Sequence, residues 1–263
     1  MAKFQCNVIS YTLKRTVDLV VVVPTTTIPE SLGMGLAEGE KPTHQPKAKY
    51  PVLYLLHGGG NNQAQWTGYT KAELFAEEHQ IIVVNIAGEN KFFDNVRGDD
   101  FYTFIQKELP DFVTGLFPAS DRPEDTYIAG LSMGGYGTMI HALTTPERFA
   151  AMGIFSCGGA ALKPNGSLDL PAAPAEHVPN DRLDAMVGKN VKLPKVYYAC
   201  GKNDFGYQGC LTTRDKFLAA GADVTWDELE GYGHEWRFWD IELEKFLKWL
   251  PRTDAYAGSK RQV

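Results

Sequence analysis

The chain has 263 residues, with 26 basic and 32 acidic side chains and a formal net charge of −6. Hydrophobic residues make up 44% and charged residues 22%, proportions that exclude a disordered, collagenous or coiled-coil chain. The acidic balance leaves no electrostatic footprint for nucleic acid and little attraction to an anionic membrane.

Met1–Ser10 lacks the basic-then-apolar layout of a secretory leader. The longest apolar run, Leu19–Pro24, falls far short of the ~20 residues a membrane helix needs. Cys6, Cys157, Cys200 and Cys210 are scattered and form no Cys-x-x-Cys, so neither a disulfide framework nor a thiolate zinc site is expected, and a cytoplasmic location fits.

In chain order, Phe4, Cys6 and Val8 alternate with Gln5 and Asn7 and predict a first strand. Val17–Val23 is a β-branched strand closed by Pro24. Residues 25–50 carry Pro29, Pro42 and Pro46 among several glycines and read as a long surface connection. Val52–Leu56 is a buried strand running straight into His57-Gly58-Gly59-Gly60. Thr70–His79 reads as a helix with Thr70 and Glu73 spaced as a capping box, and Ile81–Ile86 as the next buried strand. Residues 101–116 have helical spacing with a polar exception at Glu108 and a kink or split expected at Pro110. Thr126–Ala129 and Ala151–Phe155 are strands flanking a helix over Met133–Leu143. Ala160–Asn190 is rich in Pro, Gly and Asn; it reads as a cap or insertion within one domain spanning 1–263, or else as a solvated loop. Val196–Ala199 and Val224–Leu229 are strands, and Gly209–Ala220 and Glu235–Leu250 are helices. This alternation implies an α/β fold with a mostly parallel central sheet and helices on both faces. Functional residues then belong at the C-terminal ends of the strands.

Gly130-Leu131-Ser132-Met133-Gly134 is a G-x-S-x-G that follows a strand and opens a helix, the setting of a nucleophile elbow. A serine hydroxyl needs a base. His79 ends a helix, His141 lies inside one, His44 and His177 sit in irregular segments, and His57 belongs to the glycine loop. His234, between the last strand and the last helix, occupies the place of the general base. Asp204, just past the strand over 196–199, completes the order Ser132, Asp204, His234; the rivals Asp227, Glu228 and Glu230 lie on or beside the last strand. Oxyanion donors are expected from the backbone N–H of Met133 and from the glycine loop, with Gly59 favoured by position and Gly58 and Gly60 left open.

With these residues in view the chain resembles the esterase-D-type branch of the α/β-hydrolases. The resemblance rests on YPVLYLLHGGG (50–60) with Trp66, ELP (108–110), IAGLSMGGYG (128–137), PERF (146–149), Phe155-Ser156, GKNDF (201–205) and GHEWRFWD (233–240). SMGGYG and HEWRFW together point to the tributyrin-type short-chain carboxylesterases. The branch also holds S-formylglutathione hydrolases, feruloyl and acetyl-xylan esterases and mycolyltransferase-type acyltransferases. Its nucleophile, acid and base fall on Ser132, Asp204 and His234.

The function implied is a serine carboxylesterase acting on small, short-acyl esters. Acyl transfer to an alcohol is the alternative with the same residues, and a non-catalytic binding protein on the same fold is the alternative from another class. Trp66, Phe205 and Trp236 follow site motifs and either line an aromatic substrate pocket or pack the core. No metal or organic cofactor is implied, the partner is a small ester, and self-association into a homo-oligomer is left open.

Overall fold

The computed structural model describes residues 1–96, 98–160, 177–259, 261 and 263. Ala2–Ser10 (β1) and Arg15–Val23 (β2) form an antiparallel hairpin. A short helix, Ile28–Ser31 (α1), interrupts the long connection to Val52–Leu56 (β3). Then come Gln65–Tyr69 (α2), Ala72–Glu78 (α3), Ile82–Ile86 (β4) and a two-rung ribbon of Asn95–Val96 (β5) and Asp99–Asp100 (β6). Phe101–Thr103 (α4) leads through a π-helical turn, Phe104–Glu108, into Leu109–Leu116 (α5). Thr126–Leu131 (β7), Met133–Thr144 (α6), Ala151–Phe155 (β8), Pro179–Met186 (α7), Lys195–Gly201 (β9), Tyr207–Ala219 (α8), Val224–Leu229 (β10) and Trp236–Trp249 (α9) follow.

Eight strands form one sheet in the order β1-β2-β4-β3-β7-β8-β9-β10. β2 is antiparallel to both neighbours, and every pairing from β4 across to β10 is parallel. Strand alternation splits the core into two layers. Val52, Tyr54 and Leu56 face one cluster with Met139, Ile140 and Leu143 of α6 and Phe217 of α8. Leu53 and Leu55 face the other, with Phe75 of α3 and Phe238, Leu243 and Phe246 of α9. Each fully buried Leu or Phe here is worth ~1.5–3 kcal/mol against exposure. Both faces being covered explains why β3 reads as a continuous apolar run rather than an alternating one, and why β4 departs from such a run only at the buried Asn85.

One local expectation fails for a physical reason. The capping box forms at Thr27 and Glu30, where the Thr27 side chain accepts from Glu30 N and Glu30 accepts from Thr27 N. Thr70 instead ends α2, its hydroxyl turned to Trp66 O, while Glu73 pairs with Lys3. The kink at Pro110 is a widened turn: Leu109 N–H reaches back five residues to Phe104 O, and Pro110 then sits in the first turn of α5, where a missing N–H costs nothing. The polar exception Glu108 is buried and accepts from Ser10 Oγ, Tyr11 N and Thr12 N, each at 2.8 Å. Burial raises its proton affinity, but these bonds outweigh it and hold the carboxyl below its usual range. Glu108 thus ties the β1–β2 turn to the helix over 101–116.

Of the expected cap over 160–190, residues 161–176 lie outside the described ones, Pro164, Pro171, Pro174, Leu162, Leu168 and Leu170 among them. Pro179 opens α7, and Leu183 is a fully buried core residue between α6 and α8, not pocket-closing surface.

Candidate active site

The parallel half of the sheet gathers the loops after β3, β7, β9 and β10 along one edge. Ser132 sits between β7 and α6 at φ 51°, ψ −120°, a strained conformation for a residue with a Cβ. Its N–H is pinned to Phe155 O of β8 at 2.9 Å and its carbonyl accepts Tyr136 N at 3.0 Å, so both sides of the elbow are held. The flanking glycines are sterically required. A Cβ on Gly130 would lie 2.4 Å from Gly134 C, and one on Gly134 would lie 2.3 Å from Leu56 O. The start of α6 therefore packs directly on the end of β3, beside the glycine loop.

That loop is fixed by His57. Its Nε2 accepts Gly88 N–H at 2.8 Å, which leaves Nδ1 to donate to Gly58 O at 2.7 Å. Burial drives the His57 pKa down to about 4, so the ring stays neutral and keeps this tautomer. In a trans peptide C=O and N–H point in opposite directions, so turning Gly58 O onto His57 turns Gly59 N–H away from it. Gly60 N–H is taken by Asn90 Oδ1 at 2.6 Å. Among the described residues Gly59 N–H makes no hydrogen bond. A Cβ on Gly58 would come within 3.5 Å of Ser132 Cβ, which measures how close the loop stands to the elbow.

On the other side, His234 Nδ1 meets Asp204 Oδ2 at 2.8 Å. The Asp204 side chain is fully buried; that of His234 is 22% exposed. Burial pushes the Asp204 carboxyl up, but hydrogen bonds from His234 and Gly206 N–H, with the Ser156 hydroxyl nearby, outweigh it and hold the group below the usual carboxylate range. An ionised carboxylate only accepts, so Nδ1 carries the proton and Nε2 is free to act as a base. The two loops are stitched by Asn203 N–H to Tyr232 O at 2.9 Å and Lys202 N–H to Leu229 O at 3.0 Å. This close approach needs Gly201, where a Cβ would lie 2.4 Å from Tyr232 O. The rival acids are committed elsewhere: Asp227 to Lys245 and Tyr197, Glu228 to Tyr207, Trp226 and Lys202, and Glu230 to Lys202. A hydroxyl on a strained elbow, an unpaired amide on the loop beside it and an imidazole braced by a buried carboxylate are parts that acyl transfer requires.

The chain is similar to known esterases over most of its length. The Esterase family, described as “Putative esterase”, matches residues 40–250. The chain belongs to this family. An acetyl esterase of Caldicellulosiruptor saccharolyticus is 28% identical over 276 residues, covering 96% of this chain and 99% of that one. Among solved structures, the fluorophosphonate-binding serine hydrolase FphF of Staphylococcus aureus superposes with a TM-score of 0.79 at 26% identity over 96% of this chain and 99% of its own. The S-formylglutathione hydrolase FrmB of the same organism gives 0.77 at 27% identity, covering 95% and 98%. The chain is a carboxylic ester hydrolase with the α/β-hydrolase fold.

The esterase places the three sequence-selected aromatics differently. Phe205 is 87% exposed and its ring lies 4.7 Å from that of His234. Trp236 is half-buried, stacks on Tyr69 at 5.2 Å and meets Trp239 edge-on. Trp66 does not line a pocket: it is fully buried, packed on Phe155 and Trp236, with Nε1 donating to Leu56 O at 3.0 Å. An indole of that size fills the layer under β3, and its N–H satisfies the last strand carbonyl before the glycine loop. Sequence reasoning set His57 aside as a loop histidine and passed over Asn90; the signal available for His57 was its position, between a buried strand and three glycines.

Proposed function

We propose that the chain is a serine carboxylesterase for small, short-acyl esters, with Ser132 as nucleophile, His234 as general base and acid, and Asp204 as the group that orients and stabilises the imidazolium. The observation that carries this reading is the 2.8 Å pair of His234 and Asp204, set on the same sheet edge as the Ser132 elbow. Ser132 Oγ attacks the ester carbonyl as His234 Nε2 takes its proton. The N–H groups of Met133 and Gly59 receive the oxyanion. His234 returns the proton to the leaving alcohol, and water, activated by the same nitrogen, releases the acid. The free, mostly buried cysteines support a reducing, cytoplasmic setting.

Phe205, against His234, and the Tyr69–Trp236 stack, joined to His234 through Trp239, are the candidate aromatic surface for the substrate. The likeness to FrmB supports thioester cleavage of S-formylglutathione as the second reading. A panel of aryl esters from acetyl to decanoyl, with S-formylglutathione and methyl ferulate, tests both. kcat/KM falling from acetyl to decanoyl fits the first reading, and a preference for S-formylglutathione over every oxygen ester replaces it with the second. Equal turnover of all chain lengths removes the short-acyl assignment.

A further inference from the structure

Two buried side chains beside the acid–base pair take no part in bond making: Ser156 and Trp239. Ser156 follows the last residue of β8 with φ +53°, its N–H donating to Ala199 O of β9 at 2.9 Å. Glycine would occupy that backbone position without strain. The serine brings a hydroxyl, and Trp239 Nε1 donates to it at 3.1 Å. An indole has no acceptor, so the hydroxyl proton of Ser156 is left for another group. The Asp204 carboxylate and the Cys200 thiol are its neighbouring acceptors, and a charged acceptor is the stronger of the two. Trp239 also sets its ring at 89° to that of His234, 5.0 Å between centroids, while the exposed Phe205 touches the same imidazole.

We propose that Ser156 and Trp239 are a positioning pair for the acid and base, the indole N–H steering the serine hydroxyl onto Asp204 while the indole ring holds the plane of His234. This rests on the assignment of Asp204 and His234 given above. The pair touches no reacting atom. Its effect is on how far the imidazole wanders from the line between Asp204 and Ser132, and a misplacement of about 1 Å can cost ~10²-fold in rate.

The test compares kcat and KM on a short aryl ester for Trp239→Phe, Ser156→Ala, Ser156→Gly and the double variant Trp239→Phe/Ser156→Ala, with wild type and Ser132→Ala as references. The pair predicts that Trp239→Phe and Ser156→Ala each lower kcat by roughly 10- to 100-fold with KM within about twofold, since orientation rather than binding is lost. The double variant should be no worse than the more damaged single one, because both changes break one linkage. Ser156→Gly separates hydroxyl from backbone: it should lose kcat as Ser156→Ala does while its Tm stays at or above that of Ser156→Ala, the positive φ being relieved. Should Trp239→Phe not fold, the two Ser156 variants still decide. Multiplying losses, losses confined to KM, or Ser156→Gly at wild-type kcat would overturn the pair. An inactive Ser132→Ala alongside fully active Ser156 and Trp239 variants removes the positioning role alone; an active Ser132→Ala removes the triad assignment beneath it.

Discussion

Nδ1 of His234 lies 2.8 Å from Oδ2 of Asp204 across 30 residues of chain, because β9 and β10 pair in parallel and end side by side. The carboxylate is fully buried and the imidazole partly open, so the carboxylate is shielded while the imidazole stays accessible. Asp204→Asn should keep the fold and lower kcat by on the order of 10³–10⁴, since the amide favours the wrong imidazole tautomer. Asp227→Asn, whose carboxylate serves Lys245 and Tyr197, should stay within about tenfold of wild type. Steady-state kinetics with circular dichroism as the folding control checks both; a greater loss at Asp227 would move the acid.

The elbow glycines predict a stability effect. Gly134→Ala puts a Cβ 2.3 Å from the Leu56 carbonyl, backbone against backbone, and should cost more than about 3 kcal/mol or prevent folding. Gly233→Ala meets Asn203 O only at 3.6 Å, an ordinary contact, and should change stability by less than about 1 kcal/mol. Urea unfolding of the two variants gives the comparison.

Trp66 and Phe205 should separate stability from specificity. Trp66→Phe removes the donor to the buried Leu56 carbonyl and should cost about 1–3 kcal/mol, with the acyl-chain profile unchanged. Phe205→Ala, at a largely exposed side chain, should leave stability within about 0.5 kcal/mol and raise KM for aryl esters. A shifted chain-length profile in Trp66→Phe would return that indole to the substrate pocket.

Why the two aromatic side chains could be confused is a matter of what sequence encodes. An aromatic shortly after a site motif has the same signature whether it packs beneath the loop or faces the substrate; only the third dimension separates Trp66 from Phe205. The pairing of Asp204 with His234 was legible because each follows a strand of recognisable type, and parallel strands bring their C-terminal ends together without further information. The capping box was misplaced because Thr-x-x-Glu occurs at Thr27 and at Thr70, and the second threonine is drawn to Trp66 O by the preceding helix. Glu108 stood out as a polar break in an apolar face, yet its partners on the β1–β2 turn are about a hundred residues away and left no local trace.

Acid should weaken the fold through its buried histidines. Burial lowers His57 to about 4 and His141 to about 3, while the same rings in an unfolded chain titrate near ~6.5. Above about pH 6.5 neither state binds the extra proton and stability is complete. Between about pH 6.5 and 4 the unfolded chain takes up protons the native rings refuse, so stability falls by a few kcal/mol; below about pH 3 these two rings add no further loss. Urea midpoints from pH 7.5 to 4.5 should show that slope, and His141→Gln should flatten it. His141 Nε2–H holds Phe93 O at 2.9 Å and its Nδ1 meets Gln106, so the variant should also begin from a lower midpoint. An unchanged slope in His141→Gln would remove that ring from the pH dependence.

The central claim, that Ser132 is the nucleophile of an acyl-enzyme, is tested most directly by fluorophosphonate labelling of the folded protein, with the modified peptide identified by mass spectrometry. The account predicts one label per chain on Ser132, loss of esterase activity in step with labelling, and neither label nor turnover above ~10⁻⁴ of wild type in Ser132→Ala. A label on another residue, or a Ser132→Ala variant that keeps a tenth of the activity, would contradict it.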